Sequence, residues 1–417
     1  MRILLITFQF PPEMTGTAPL LGELCEDLHR RGHQITALVG PLHHNFEDIP
    51  PKYRSRLLTR EFLCGAHVLR VNMMLTRSMW ANKLMGYVYF PAAATVLGLL
   101  LRRPDVILCS SPPLWLGLAA RLVAAFKRAP YVYVAQDLWP SAPVRLGLWR
   151  NGLLIAFFSW MERYVYTRAK RVVVIAEKMR ETVRDAGLPD ERIATIENWV
   201  DVDFIRPGDR DNRFRREVAS PDDLVVLYSG NMGHSHAIDV VLQSAALVRD
   251  HGDIRFVIVG AGTQKARLVQ MAREMKLEQV TFLPLQPRER LPEVIAAGDV
   301  CLVPLRKGLS TASLPSKIYT YMAAGRPLVA TLDPGESAWE LVERARCGIL
   351  VQPERPRELA EAVLKLYRDP ELRRRYGENG RRYAEAHCDR KVCTRAYERM
   401  LERATGMSGY GASSTVA

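Results

Sequence analysis

The sequence predicts an α/β protein with two Rossmann-like domains, each a parallel sheet flanked by helices. The chain opens with a β-α-β pattern, in which the strands Ile3–Thr7 and Gln34–Val39 enclose an amphipathic helix. A charged, turn-rich segment, residues 206–222, then separates this first α/β series from a second one. At 417 residues the chain is long enough for two complete cores.

The composition is that of a folded protein with acidic partners. Hydrophobic residues make up 48% of the chain and charged residues 25%, and the formal net charge is +13. These values exclude a disordered chain and favour nucleotide phosphates or an anionic membrane surface as partners. No nucleic-acid-binding motif is present, and the aromatic residues do not alternate with a basic stripe, so we expect no nucleic acid partner.

Cysteine spacing and the start of the chain predict a cytoplasmic protein without a metal. The seven cysteines are scattered, and several lie within apolar strands, where they suit core packing in a reducing compartment. No cluster of Cys, His, Asp and Glu has metal-ligand spacing, so we predict no metal and no cofactor. Arg2 leads directly into the first strand, and we expect no signal peptide.

The first series places polar loops where its strands end. A loop with Gly16 follows the first strand, and Asp137 follows the predicted strand Tyr131–Ala135. The carboxyl ends of parallel strands form the edge at which such sheets bind ligands. Asp137 therefore either faces a cleft or caps the next helix. The other strands predicted here are Asp105–Ser110, Arg171–Ile175 and Ile193–Ile196.

Two apolar segments with basic ends lie in this first half. Leu84–Leu101 is almost entirely apolar, contains Pro91 and is flanked by basic residues, and Leu153–Met161 precedes a second basic cluster. The first segment has the length of a short membrane span, but it also suits a buried helix or a helix on a membrane surface. Two such segments in one domain predict membrane contact without insertion.

The second series repeats the arrangement of strands followed by polar loops. Its predicted strands are Leu224–Tyr228, Arg255–Gly260, Val280–Leu283, Val300–Leu305, Pro327–Ala330 and Gly348–Val351. The loop after the third of these strands contains Leu285 and Gln286. We expect both residues at the ligand-binding edge of the sheet.

A glycine turn follows the first strand of this second series. It contains Gly230, Asn231 and Gly233, and it allows backbone N–H groups and the asparagine amide to approach phosphate oxygens. His234 and His236 come next and either contact phosphate or are solvated.

The stretch Gly308–Gly325 predicts an anion site in the same domain. It leads from a buried strand into a helix that begins near Pro315 and ends at Gly325. Ser316 and Lys317 lie in the first turn, where unpaired N–H groups, the helix dipole and the lysine favour negative charge. The alternative is an ordinary strand-to-helix connection with a solvated lysine.

Several short motifs follow one another along the chain. They are Pro11-Pro-Glu13, Arg31-Gly-His33, Asn198-Trp-Val-Asp201, Phe204-Ile-Arg-Pro207 and Met322–Ala330. Together they resemble the motifs of family 4 glycosyltransferases of the GT-B fold, over nearly the full length. Asp137-Leu-Trp-Pro140, Gly230–Gly233 and Pro315-Ser-Lys317 are similar to the subgroup of bacterial O-antigen and capsule transferases of the L-fucosamine type.

The resemblance implies two Rossmann-like domains that face a central cleft. We expect an acceptor-binding domain over residues 1–207, a nucleotide-sugar-binding domain over 221–387, a helix over 388–406 that crosses back to the first domain, and a disordered tail over 407–417. The implied reaction is a retaining transfer of an N-acetylated amino sugar or a deoxy sugar. The donor would be a nucleotide sugar, usually a UDP-sugar, and the acceptor a lipid-linked glycan at the inner face of the plasma membrane.

The site residues expected from the residues and the resemblance fall into two groups. Lys317 and Asp137 are expected to be catalytic. The residues expected to bind the donor are Gly16, Gly230, Asn231, Gly233, His236, Leu285, Gln286, Ser316 and Thr320.

The chain departs from the family pattern at positions that usually carry charge. Members of the family usually carry two glutamates eight residues apart, and the second glutamate holds the ribose of the nucleotide. Here these positions are Ala312 and Thr320, so the charged contact to the ribose is not expected. The usual arginine and lysine after the first strand of the second domain fall near Asn231 and His236. We therefore expect Lys317 to carry more of the diphosphate charge.

The position of a catalytic histidine in some relatives falls near Gln136, so no general base is expected. A retaining front-side mechanism, in which the leaving phosphate accepts the acceptor proton, does not require one. Two other functions fit the same fold: a sugar-nucleotide epimerase, which needs acid and base carboxylates in the cleft, and a catalytically silent partner, to which the missing glutamates lend weight.

Overall fold

The computed structural model describes residues 1–13, 16–42, 50–54, 56–72, 79–138, 144, 151–308 and 314–406. The chain divides into two compact units. One comprises Met1–Glu197 and the chain from Cys393 onward, and the other Asn198–Val392. Ala312, Trp139, Pro140 and the predicted disordered tail lie outside the described residues.

The first unit is built on a mostly parallel sheet. Its strands are β1 (Arg2–Thr7), β2 (Gln34–Val39), β3 (Leu58–Leu63), β4 (Ala66–Val71), β5 (Val106–Ser110), β6 (Tyr131–Ala135), β7 (Arg171–Val174) and β8 (Ile193–Thr195). Within the described residues their order is β3-β4-β2-β1-β5-β6-β7-β8, and only β3 and β4 are antiparallel. The predicted parallel strands are confirmed, and the β3–β4 hairpin is an addition that the sequence analysis missed.

Helices cover this sheet. They are α1 (Ala18–Arg30), α2 (Pro51–Arg54), α3 (Met79–Leu100), α4 (Leu116–Lys127), α5 (Gly152–Arg168) and α6 (Glu177–Asp185). Helix α3 contains Pro91. None of the helices formed by the described residues is sufficiently long and apolar to cross a membrane.

The second unit has a fully parallel sheet. Its strands are β9 (Leu224–Ser229), β10 (Ile254–Val259), β11 (Val280–Leu283), β12 (Val300–Pro304), β13 (Leu328–Thr331) and β14 (Gly348–Val351). Their order is β11-β10-β9-β12-β13-β14, which is the Rossmann order. The helices are α7 (Arg213–Val218), α8 (Ile238–Leu247), α9 (Lys265–Glu274), α10 (Leu291–Ala296), α11 (Ser316–Ala323), α12 (Ser337–Ala345), α13 (Pro356–Arg368) and α14 (Pro370–His387). One division between the units falls within the last described helix, α15 (Arg390–Thr405), after Val392. The predicted α/β class with two Rossmann-like sheets is confirmed.

The division between the units falls before the predicted boundary after residue 207. Arg381 donates hydrogen bonds to the carbonyl oxygens of Val202 and Ile205, at 3.1 and 3.0 Å, and so fixes this segment to the second unit. The charged segment 206–222 also lies inside that unit, where the buried Arg215 pairs with Asp299 at 2.9 Å. The segment has the composition of a linker, because the sequence alone does not show whether charged side chains are buried in ion pairs or solvated.

The last helix joins the first unit from Cys393 onward. The Thr394 hydroxyl donates to Asp27 Oδ2 at 3.0 Å and accepts from Arg31. His33 Nε2 lies 2.8 Å from Glu398 Oε1. These contacts attach α15 to helix α1 and the turn that follows it.

Candidate active site

The order of strands in the second unit creates a ligand-binding position between β9 and β12. The sheet grows outward in both directions from these neighbouring strands, so the connections that follow them diverge and leave a crevice at their carboxyl ends. An isolated antiparallel bridge joins His236, in the segment after β9, to Leu305, directly after β12. Lys317, in the first turn of α11, reaches the same segment after β9.

Lys317 lies in the first turn of α11 and points at the turn after β9. Its ammonium nitrogen is 3.2 Å from Nε2 of His236 and 5.2 Å from the centre of the Tyr228 ring. Pro315 precedes the helix, and no side chain of the described residues caps its N-terminus. Backbone N–H groups, the helix dipole and the lysine charge are therefore presented together.

Burial sets the protonation of this pair of side chains. It lowers the pKa of Lys317 to about 8. It also lowers the pKa of His236 to about 4, with a further contribution from the Lys317 charge. At neutral pH an ammonium group therefore faces a neutral imidazole. Nε2 can accept from the ammonium group when the imidazole proton is on Nδ1, and Nδ1 lies 3.1 Å from the Ser235 hydroxyl.

Close backbone packing explains the glycines of this turn. Gly230 has a φ of +147°, and a Cβ there would lie 2.5 Å from Cε of Lys317. Gly260 has a φ of +152°, and a Cβ there would lie 1.9 Å from the Gly230 carbonyl oxygen. Side chains at these positions would displace both Lys317 and the turn. The Lys317 stem therefore packs directly on the Gly230 backbone.

Two buried tyrosines fix the same turn, and the sequence analysis missed both. The Tyr228 hydroxyl donates to the Asn231 carbonyl oxygen. The Tyr321 hydroxyl accepts from the Ser229 N–H at 3.0 Å. Tyr228 fits the apolar pattern of strand β9, and Tyr321 fits that of helix α11. The sequence pattern therefore did not indicate that their hydroxyl groups form hydrogen bonds. The Asn231 side chain itself is exposed, and Gly233 packs against its amide.

Thr320 lies one helical turn after Ser316. Its hydroxyl donates to the Ser316 carbonyl oxygen at 3.1 Å. This bond uses the only hydroxyl proton, so the oxygen remains available only as an acceptor. The Ser316 side chain is exposed at the start of the helix.

The residues predicted after β11 show different environments. Leu285 is 64% exposed. Gln286 donates to the Pro284 carbonyl oxygen at 3.1 Å and accepts from Arg290 at 3.2 Å. Binding of the donor by these two residues stays a prediction.

The first unit holds the other two predicted residues at the carboxyl edge of its sheet. Gly16, in the loop after β1, has a φ of +61°, and a Cβ there would lie 2.3 Å from Gln9 Oε1. Asp137 follows β6, and its Oδ1 accepts from the Ser111 hydroxyl at 2.8 Å. Their roles in donor binding and catalysis stay predictions.

Two charged side chains that the sequence analysis passed over are buried in the first unit. Arg70 is fully buried and donates to the carbonyl oxygens of Gly40 and Pro11, which fixes the loop after β1. Burial raises the pKa of Glu162 to about 7, and its carboxylate accepts from the Tyr166 hydroxyl at 2.9 Å. Burial is the property that a helical or strand pattern of charged residues does not reveal.

The arrangement around Lys317 can stabilise a diphosphate by charge and N–H groups alone. Among the residues that the structure describes, no group of three or more His, Cys, Asp and Glu could hold a metal ion. Metal independence stays a prediction.

Family models match both units. Residues 15–199 match the model described as "Glycosyl transferase 4-like domain", and residues 209–383 match "Glycosyl transferases group 1". The chain belongs to glycosyltransferase family 4. The predicted family and the predicted enzyme class are therefore confirmed.

Relatives agree with this membership, and solved structures agree with the fold. The glycosyltransferase is 28% identical over 412 residues to WcaI from Escherichia coli K12, a glycosyl transferase named for colanic acid biosynthesis, with 95% of this chain and 98% of WcaI covered. It is 31% identical to the alpha-D-kanosaminyltransferase of Streptomyces kanamyceticus, over 53% of this chain and 57% of that protein. The UDP complex of HepE from Anabaena is similar with a TM-score of 0.70 and 17% identity, over 97% of this chain and all of HepE. This likeness confirms the GT-B fold.

Proposed function

We propose that this glycosyltransferase moves a sugar from a UDP-sugar to a lipid-linked glycan in the synthesis of a surface polysaccharide, with retention at the anomeric carbon. The observation that carries the proposal is Lys317 at the open N-terminus of α11, beside the glycine turn of β9. The similarity to WcaI supports the pathway class, and the UDP bound to HepE supports the nucleotide. An N-acetylated amino sugar or a deoxy sugar, as in L-fucosamine-type transferases, is the proposed donor sugar.

The proposed chemistry breaks the bond between the anomeric carbon and the diphosphate oxygen. The acceptor hydroxyl attacks the same face of the sugar, and its proton passes to the departing phosphate oxygen, so no protein base is needed. The charge that develops on the diphosphate is stabilised by Lys317 and the first N–H groups of α11. Asp137, oriented by Ser111, is proposed to hold an acceptor hydroxyl.

The donor is proposed to lie across the crevice between β9 and β12. The N–H groups around Gly230 and the Asn231 amide are proposed to bind the phosphates. The Thr320 oxygen, which can only accept, is proposed to take a hydrogen bond from a ribose hydroxyl. This neutral contact replaces the charged one expected from glutamate in other members of the family.

An apolar helix layer of the first unit supports docking on an anionic membrane. Helix α3 packs on α4, and α4 packs on α5. These three helices expose large hydrophobic side chains: Val88, Tyr89, Val96, Leu100, Leu122, Phe126, Leu153, Leu154, Phe157 and Trp160. Phe126 is 73% and Leu153 85% exposed. A patch of this kind marks an interaction surface, and basic residues follow the ends of all three helices, which favours anionic lipid. We therefore propose a peripheral protein at the cytoplasmic face of the membrane.

The proposal is tested by incubating the purified full chain with UDP-, GDP- and dTDP-sugars and lipid-diphosphate acceptors in vesicles. Nucleotide release and glycolipid mass are followed together, with EDTA present. The expected result is a glycolipid product with UDP-sugars only. Nucleotide release without glycolipid for every donor would contradict the proposal and favour hydrolysis or a silent partner.

A further inference from the structure

A cationic cavity lies at the amino edge of the first sheet. It has a volume of about 550 Å³ and is formed where the chain enters β6, β7 and β8, beside helix α4. Five basic side chains line it: Arg121, Arg168, Lys170, Arg171 and Arg192. Glu191 is the acidic residue among its lining residues.

Most of this positive charge has no carboxylate partner. Arg171 donates to the Glu191 carbonyl oxygen at 2.8 Å, and Arg192 donates to the Thr167 carbonyl oxygen at 2.9 Å. Carbonyl groups satisfy the N–H donors but do not neutralise the charge. Within the described part of the chain, none of the five basic residues forms an ion pair. The cavity therefore attracts an anion.

Arg121 adds an unsatisfied donor to this charge. Its Nε is buried and has no hydrogen-bond partner among the described residues. A buried donor without a partner is costly, and an oxyanion in the cavity would supply the missing acceptor. The planar guanidinium group matches phosphate geometry in particular.

Helix α4 contributes both to the cavity and to the apolar helix layer. On α4, Leu122 and Phe126 follow Arg121 in the sequence and are both exposed. A ligand with a phosphate in the cavity could thus lay acyl chains along these side chains. We propose that the cavity binds the phosphate of an anionic lipid headgroup.

This site is separate from the proposed acceptor position. Tyr131 lines the cavity at the start of β6, and Asp137 follows the other end of that strand. The five residues of β6 span about 16 Å at roughly 3.3 Å per residue. The cavity therefore binds a membrane lipid rather than the reacting end of the glycan. The inference rests on the proposed membrane docking, which it makes specific.

The test measures the binding of the full chain to vesicles of neutral lipid with and without phosphatidylglycerol. The cavity variant is Arg121→Gln combined with Lys170→Gln. The matched control is Arg102→Gln combined with Arg103→Gln, which removes two charges near the same edge but outside the cavity. We expect the cavity variant to lose at least tenfold more affinity for phosphatidylglycerol vesicles than the control. Equal losses of vesicle affinity in both variants would overturn the proposal that the cavity binds lipid, while leaving the proposed membrane docking intact.

A second experiment with soluble phosphates distinguishes a lipid headgroup from a free phosphate as the ligand. Inorganic phosphate and glycerol 3-phosphate are titrated into each protein and are used to compete with vesicles. If the soluble phosphates compete only weakly with vesicles, and only in the protein that retains Arg121, the result supports the lipid assignment. If a soluble phosphate binds as tightly as the vesicles do, the result would overturn it. Thermal unfolding and turnover on a soluble acceptor are expected to be unchanged in the cavity variant, and a loss of either would overturn a role confined to lipid. Failure of the unaltered protein to bind any vesicle would overturn both this inference and the membrane docking.

Discussion

The ammonium group of Lys317 lies 3.2 Å from Nε2 of His236, and the two side chains belong to segments that follow neighbouring strands. Because the imidazole is neutral at pH 7, the pair carries a single positive charge. Members of the family usually place permanent charges after the first strand of this domain. We propose that one lysine supplies that charge here, and we therefore expect donor binding to depend on its protonation.

We first predict that UDP affinity falls at alkaline pH. Lys317 has a pKa of about 8 in the unliganded site, so its charged form prevails below pH 8 and is lost above it. If only that form binds the diphosphate, affinity falls by up to about tenfold per pH unit above pH 8. Calorimetric titration of UDP between pH 7.5 and 9.5 measures this. Lys317→Arg stays charged and should bind UDP without the decline, and an equal decline in both proteins would contradict the assignment.

Gly230→Ala is predicted to displace Lys317. The added Cβ would lie 2.5 Å from Cε of Lys317 in a backbone conformation that favours glycine, so kcat/KM should fall by at least about tenfold. Gly252→Ala is the matched control, because a Cβ there meets nothing within 4 Å. Steady-state kinetics and thermal unfolding of both variants separate displacement of the lysine from loss of the fold. Full activity of a folded Gly230→Ala protein would show that the contact is unimportant.

Thr320→Val is predicted to weaken UDP binding by roughly two- to tenfold, which is the range of a neutral hydrogen bond. The valine has a similar shape but lacks the oxygen that we propose accepts from ribose. Calorimetry with UDP and with 2′- and 3′-deoxy UDP provides the check. The variant should lose its preference for UDP over one deoxy nucleotide, and an unchanged preference over both would remove Thr320 from ribose binding.

The parallel strands and the position of Lys317 at the start of a helix could be predicted because their signals are local. Buried parallel strands are continuous apolar runs, and Lys317 follows one of them at the start of a helix. The strand order then explains why this turn and the turn with Gly230 meet. The sequence pattern of each element alone does not contain that order.

Other features could not be predicted because they depend on burial. The hairpin of β3 and β4 alternates polar and apolar side chains and has an exposed edge strand, so it lacks a continuous apolar run. Tyr228 and Tyr321 look like core residues until their hydroxyl partners are known. Arg70 and Arg215 read as surface charges although both are fully buried.

Glu162→Gln is predicted to stabilise the protein at alkaline pH. In the folded protein the pKa of Glu162 is about 7, above its ordinary value of 4.5. Between pH 4.5 and pH 7 the folded chain therefore keeps this proton, whereas the unfolded chain loses it. Stability therefore decreases as pH rises through that window. At pH 8 the variant should be more stable by up to about 3 kcal/mol, since one pKa unit corresponds to about 1.4 kcal/mol. Glutamine keeps an oxygen for the Tyr166 hydroxyl.

Urea unfolding of both proteins at pH 5 and pH 8 measures this difference. The gain should shrink to less than about 1 kcal/mol at pH 5, where the carboxyl of the folded protein is protonated. A gain of the same size at both pH values would show that packing, rather than the proton, is responsible.

The central claim is that Lys317 stabilises the departing diphosphate, and turnover of Lys317→Ala tests it most directly. Single electrostatic stabilisers contribute about 10²–10³ in rate, so kcat with a UDP-sugar and a lipid-linked acceptor should fall by at least about tenfold while the protein stays folded. Lys317→Arg should retain more activity than Lys317→Ala. A kcat of Lys317→Ala equal to that of the unaltered enzyme, at saturating donor, would contradict the account.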